Sequence, residues 1–228
     1  MLLQHGFDEV VVVDSSGVEQ RAKNRALCRQ LGVRYYYMVG NREEARNFGV
    51  KRATGDWVSV RDDDTKLIEL DMESLRKAVS DAYDFMHTPS VSSCVWFFRR
   101  EFFLKIGGYD TKLCSGDDYD ITVRAYRYGR VLKTARDFGR TGQFEKTTKM
   151  HSKGIFSYGL TDFTLFMKYP SLRTAAIIPY RPFLFLRKIA EKRTKGNLVK
   201  LIMTTSGTML SPLYYLTPRL FYNMLVSD

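Results

Sequence analysis

The chain has 228 residues, 44% hydrophobic and 27% charged, a globular composition large enough for one α/β domain and a sizeable appendage. That composition excludes disorder and collagen-like repeats, and the lack of any apolar run of about 20 residues excludes a multi-pass membrane protein. The net charge of +11 is uneven: residues 1–138 carry 22 Lys and Arg against 21 Asp and Glu, whereas residues 139–228 carry 14 against 4.

In chain order, Asp8–Val13 is a β-branched apolar run with the pattern of a buried strand. Ser16 and Glu19 have capping-box spacing for a helix that Gly32 closes. Val33–Val39 predicts a second strand, and Asn41 with Glu44 caps a second helix ending near Gly55. Asp56–Arg61 predicts a third strand that runs into Asp62-Asp63-Asp64. Asp71–Met86 has helical spacing, Val91–Phe98 is strand-like, and a short helix leads to Gly107-Gly108. Asp118–Tyr128 predicts a helix and Arg130–Thr134 a strand. Alternating strands and helices imply an α/β fold with a mostly parallel sheet sandwiched by helices.

After about residue 136 the pattern changes to a polar, basic loop and then to the aromatic-rich segments Ile155–Tyr169, Ala175–Leu186 and Leu198–Val226. The domain organisation expected is therefore a near-neutral domain, 1–138, and a basic helical extension, 139–228. Leu201–Pro218 holds no charge, but Gly207, Pro212 and Pro218 interrupt it, which suits a helix lying in a membrane interface better than one crossing it. The basic cluster Arg187, Lys188, Lys192, Arg193 and Lys195 beside these apolar segments points to an anionic membrane surface, with a protein or homo-oligomer contact as the alternative. Nucleic acid is disfavoured: the first part is near neutral, and the tail holds no ribonucleoprotein strand or basic recognition helix. Three cysteines without a C-x-x-C pair fit a reducing compartment, and no secretory leader pattern opens the sequence. The expected location is cytoplasmic, peripheral at the inner membrane face.

Carboxylates carry most of the chemical signal. In a parallel α/β sheet, ligands bind beyond the carboxyl ends of the strands, where Asp14 and Asp62-Asp63-Asp64 fall. Adjacent carboxylates repel one another, and a hard divalent cation such as Mn²⁺ or Mg²⁺ relieves the repulsion. A solvated acidic turn is the plainer account. Asp117, Asp118 and Asp120 follow Gly116 at a helix start, where the free N–H groups favour an acid but do not call for three. One of them is available as a general base.

Four segments in order, VVVVDSSG (10–17), NREEARNFGVKRATGDWVSVRDDD (41–64), FFRREFFLKIGGYD (97–110) and GDDYDITVRAYRYG (116–129), resemble family 2 glycosyltransferases of the Rossmann-like GT-A fold. The resemblance implies a metal-dependent transfer of a sugar from a nucleotide-sugar donor to a hydroxyl acceptor, with inversion. By position it implies Asp14, Arg46 and Asp62 as nucleotide contacts, and Asp62 and Asp64 as the D-x-D pair that holds the metal. It likewise implies Asp118 as the catalytic base and His151 as a late metal ligand. Gly108 and Tyr109, within the G-G-Y-D turn, and Asp117 would lie on the acceptor side. A basic, apolar tail makes a lipid-linked or membrane glycan the expected acceptor. The family's opening strand and Pro-Thr turn are not matched, since Met1–His5 aligns with the end of its first helix. No Q-x-x-R-W motif follows Asp118, which argues against processive synthesis. The alternative function is a GT-A-like nucleotide-binding or interaction module without catalysis.

Overall fold

The computed structural model describes residues 6–62, 65–79, 82–87, 96–113, 115–133, 139–143, 159–162, 164–170 and 195–216. The chain forms two compact units, Met1–Asp110 with Ile121–Phe144, and Thr111–Asp120 with Glu145–Asp228.

The first unit opens with β1 (Val11–Asp14), α1 (Val18–Gln30) and β2 (Arg34–Tyr37), a parallel pair in which Asp14 lies opposite Tyr37. Gly32 takes φ +66° after α1, as expected of a helix-closing glycine. Gly17, not Ser16, is the N-cap of α1; the Ser16 N–H instead donates to the Asp14 carboxylate at 2.8 Å. Helix α2 (Arg42–Arg52) carries the expected capping box. The Asn41 side chain accepts from the Glu44 N–H at 2.7 Å, and the Glu44 carboxylate accepts from the Asn41 N–H at 2.9 Å. This fixes the entry angle of the helix whose second turn bears Arg46 and Asn47.

A four-stranded sheet follows in the order β3-β6-β5-β7, built from β3 (Trp57–Val58), β5 (Phe85–His87), β6 (Trp96–Arg99) and β7 (Val131–Lys133). Strand β4 (Thr65–Leu70) pairs separately with β8 (Gly139–Gln143). The α/β architecture is as expected, but its strand pairing is mixed. β1–β2 and β5–β7 are parallel, while β3–β6, β5–β6 and β4–β8 are antiparallel. The helix expected over Asp71–Met86 stops early: α3 is Met72–Ala78, capped by Asp71, and Phe85-Met86-His87 is strand. Phe85 and Met86 are both fully buried, one on each face of the sheet, and a solvent-facing helix has no such two-sided burial to give them.

The pleat of β5 and β6 divides the core. Phe85 and Phe98 face one side with Val50, Val58, Phe102, Phe103, Tyr109 and Ile121, and Met86 and Phe97 face the other with Leu75. Phe85 and Phe98 stack with ring centroids 4.4 Å apart, and Phe103 meets Phe98 edge-on at 5.4 Å. Helix α4 (Arg100–Lys105) supplies Phe102 and Phe103 to this layer and ends at the turn Gly107-Gly108.

In the second unit, Gly116 (φ +69°) precedes the first turn of α5 (Asp117–Tyr128), and residues 159–162 and 164–168 are helical. The long helix α6 (Lys195–Leu216) has Pro212 within it. Ser115 and Thr161 share a buried hydroxyl–hydroxyl bond of 2.7 Å. A Cβ on Gly159 would stand 2.4 Å from the Thr204 carbonyl, so only glycine lets this segment lie directly against α6.

The capping box gives a stability test. Asn41→Ala should lower the unfolding free energy by about 1 kcal/mol, and Asn41→Ser by less, in chemical denaturation.

Candidate active site

Helix α2 places Arg46 so that its Nη2 donates to Asp62 Oδ1, pairing the helix with the chain leaving β3. Arg46 is well buried and its guanidinium lies over the Tyr109 ring, 4.8 Å from the centroid. Tyr109 is itself 4% exposed and meets Phe103 edge-on at 5.6 Å. The next residue on α2, Asn47, locks the turn beneath: its Nδ2 donates to the Tyr109 carbonyl and its Oδ1 accepts from the Tyr109 N–H, both at 2.8 Å. Gly108 (φ +66°) makes this approach possible, since a Cβ there would lie 2.3 Å from Asn47 Oδ1. Arg46, Asp62, Gly108 and Tyr109 are thus one constellation, with Asn47 as its fastener.

Asp14 ends β1 at 7% exposure, and its carboxylate is already well used. Oδ1 accepts from the Ser16 N–H at 2.8 Å, and Oδ2 accepts from Tyr35 Oη at 2.8 Å and Asn24 Nδ2 at 3.1 Å. Burial opposes ionisation of Asp14, but the bonds from Ser16, Tyr35 and Asn24 outweigh it and hold the pKa at about 2. Burial, with the bond to Asp14, pushes the Tyr35 phenol up to about 12. Beside Asp14, Arg21 stacks on the half-exposed Tyr37 ring at 4.2 Å.

The first turn of α5, in the second unit, treats its three acids differently. Asp117 is buried at the helix start, Asp118 is half-buried, and Asp120 is fully buried. Asp120 Oδ1 accepts from Tyr169 Oη at 2.7 Å and pairs with Lys168 Nζ at 2.5 Å. Only the half-buried Asp118 combines access with a helix N-terminus. Asp64 and His151 lie outside the described residues. Among the described residues no three His, Cys, Asp or Glu side chains are grouped to hold a metal. Asp62 fits as a donor to a hard cation: its Oδ1 receives Arg46, and no protein bond reaches Oδ2 among the described residues.

The family model for glycosyl transferase family 2 matches residues 2–130, more than half of the chain. The chain belongs to this family. Its fold is similar to that of the mannosyltransferase PcManGT from Pyrobaculum calidifontis, solved in complex with GDP-Man and Mn²⁺. That likeness has a TM-score of 0.53 at 14% identity, over 92% of this chain and 78% of the other, and it shows a shared GT-A fold. No curated protein matches the sequence. The protein is therefore a glycosyltransferase of GT-A fold.

Asn47, Asn24 and Tyr35 escape a reading of the sequence. Tyr35 looks like one of three interchangeable strand tyrosines until its hydroxyl is found on the Asp14 carboxylate. Asn47 is signalled only by its place beside Arg46 and by the glycine pair at 107–108.

Two tests follow from the geometry. Gly108→Ala should destabilise by about 1–2 kcal/mol from the left-handed backbone alone, and further because Asn47 must give way, as read by thermal or chemical unfolding. Asp14 has its pKa lowered on folding, so its stabilisation is present above the unfolded value near 3.8 and is lost as pH falls through about 2. The gap in unfolding free energy between wild type and Asp14→Asn should be about 2 kcal/mol near neutrality and close as pH drops from 4 to 2. A gap that does not change with pH would refute that electrostatic role.

Proposed function

We propose that this glycosyltransferase moves a sugar from a nucleotide-sugar donor to a hydroxyl acceptor with inversion, one residue per encounter, with Mn²⁺ or Mg²⁺ as cofactor. What carries the reading is the Arg46–Asp62 pair held against buried Tyr109, a fixed cation beside a carboxylate on the chain that leaves β3. Arg46 stays charged at any physiological pH and offers a planar fork to phosphate oxygens. Asp14, held ionised at the end of β1 beside the stacked Arg21 and Tyr37, suits the base of the nucleotide. Asp62 and Asp64, with His151, would hold the cation, which when bound supplies positive charge to the departing diphosphate. That PcManGT was solved with GDP-Man and Mn²⁺ supports this class of donor and cofactor.

Asp118 then takes the proton of the acceptor hydroxyl while its oxygen attacks the anomeric carbon. The new glycosidic bond forms as the bond to the diphosphate oxygen breaks, and the single displacement inverts the carbon. Asp117 and the turn at Gly108 and Tyr109 belong to the acceptor side of this scheme. The acceptor is a lipid-linked or membrane glycan, a choice supported by the basic and apolar tail.

A panel of nucleotide sugars, with and without Mn²⁺, should contain one that raises the unfolding temperature only with the metal. Donor at about 100 times its Kd adds about 2.7 kcal/mol. Asp62→Asn and Arg46→Ala should abolish that shift. Asp118→Asn should keep it and lose about 10²–10⁴-fold in transfer, the worth of a general base. Equal loss of donor binding in Asp118→Asn would remove it from the role of base, and a panel without any shift would leave a non-catalytic module.

A further inference from the structure

Helix α6 presents two opposed faces. Thr204 and Gly207 are buried, and the chain at Gly159 lies against this side. At about 100° per residue, Ile202, Met209, Leu213 and Leu216 fall within an arc of about 60° on the other side. Ile202 is 54% exposed, Met209 76%, Leu213 49% and Leu216 73%. Leu210 flanks them, also exposed. Five large apolar side chains on one helix flank are a patch that a soluble surface rarely leaves open.

The charge of the flanking sequence says what covers it. From residue 163 to 227 the sequence has ten Lys and Arg and a single acid, Glu191. The helix has no acid in its first turn and begins at Lys195, just after Lys192 and Arg193. Cations at a helix N-terminus oppose the macrodipole, so their placement favours a partner and not the helix itself. A second copy of this chain would set two basic tails against each other, and a nucleic acid would leave the apolar stripe uncovered. No helix among the described residues is long and apolar enough to cross a membrane. We infer that α6 lies flat on an anionic lipid surface, its Ile202–Met209–Leu213–Leu216 flank in the headgroup zone and the basic residues at its start on the lipid phosphates.

This goes beyond the proposed transfer reaction, and its test reads binding, not turnover. The full chain is floated with phosphatidylcholine vesicles and with equimolar phosphatidylcholine–phosphatidylglycerol vesicles. It should rise with the anionic vesicles and lose binding as the Debye length shrinks from about 10 Å at 0.1 M salt to about 3 Å at 1 M. Met209→Glu with Leu213→Glu should weaken partitioning at least about tenfold, with the circular dichroism unchanged. Lys192→Glu with Lys195→Glu, which leaves the apolar flank intact, should weaken binding to anionic vesicles and serves as the second variant if the first misfolds. Failure to float with anionic vesicles at low salt overturns the inference, as does equal binding to pure phosphatidylcholine. A dimer in solution that the Met209/Leu213 variant dissolves would make the flank a self-contact and overturn it too. The donor thermal shift is measured on the same protein, so a loss of lipid binding and a failure of the transferase reading are told apart.

Discussion

The two-way amide bond between Asn47 and the backbone of Tyr109 is the contact on which the arrangement of the first unit's site depends. It joins residues 62 positions apart, and it uses both ends of one side chain, so it fixes orientation as well as distance. With the turn at 107–110 held, Tyr109 offers its ring to Arg46 and backs onto Phe103 in the core. Arg46 is thus kept extended toward Asp62. A buried arginine without such support would give up solvation for little return, and an exposed one would wander among rotamers. Packing at Phe98 and Phe103 therefore reaches the charged pair through two aromatic contacts and one residue's backbone.

Burial sorts the acids more sharply than their spacing does. Asp14 is nearly enclosed, yet hydrogen bonds from Ser16, Tyr35 and Asn24 keep it charged and fixed. Asp120 is fully enclosed and satisfied by Lys168 and Tyr169, and so stabilises its unit with no acceptor position turned outward toward solvent. Asp62 and Asp118 remain partly accessible, one with its oxygen on an arginine and one in a helix's first turn. In a run such as Gly-Asp-Asp-Tyr-Asp the letters are alike, and the helix rotates each through about 100° into a different environment.

What was legible in the sequence were features whose cause is local. The capping box at Asn41 and Glu44 and the closing role of Gly32 follow from a few adjacent residues, and both are present. The four ordered motifs carried the family and the α/β class, because each motif is a strand end or a helix start that the chemistry constrains. Features set by distant neighbours were not legible. Phe85 and Met86 fit a helix extending α3 until Phe98 and Phe97 claim them from across the sheet. The mixed strand directions are likewise unreadable, since periodicity reports that a strand is buried on both faces and not which way its neighbour runs. Ser16 failed as a cap because Asp14, two residues earlier, competes for its N–H. Asn47 and Tyr35 each depend on a partner tens of residues away, and no spacing rule points to either.

The uneven charge of the chain and the two faces of α6 express one constraint. Gly159 lets helical backbone approach so closely that a Cβ would meet the Thr204 carbonyl, so this side of α6 is spent on tight packing with small residues. Small residues contribute little apolar area, and the larger side chains of the same helix, Ile202, Met209, Leu213 and Leu216, stay on the side that the unit leaves uncovered. A helix meant only to complete a core would be built the other way round, with its leucines inward and its threonines outward. Had the exposed flank been a liability, acids in the sequence around it would have kept it soluble, yet residues 163–227 hold ten basic residues and one acid. The near-neutral first part needs no such bias, because its groups are matched within it: Arg46 with Asp62, Arg34 with Glu9, and Arg130 with Asp84. Three arginines of the first unit are thus paired within it, whereas in residues 139–228 the 14 Lys and Arg outnumber the 4 acids of the same stretch.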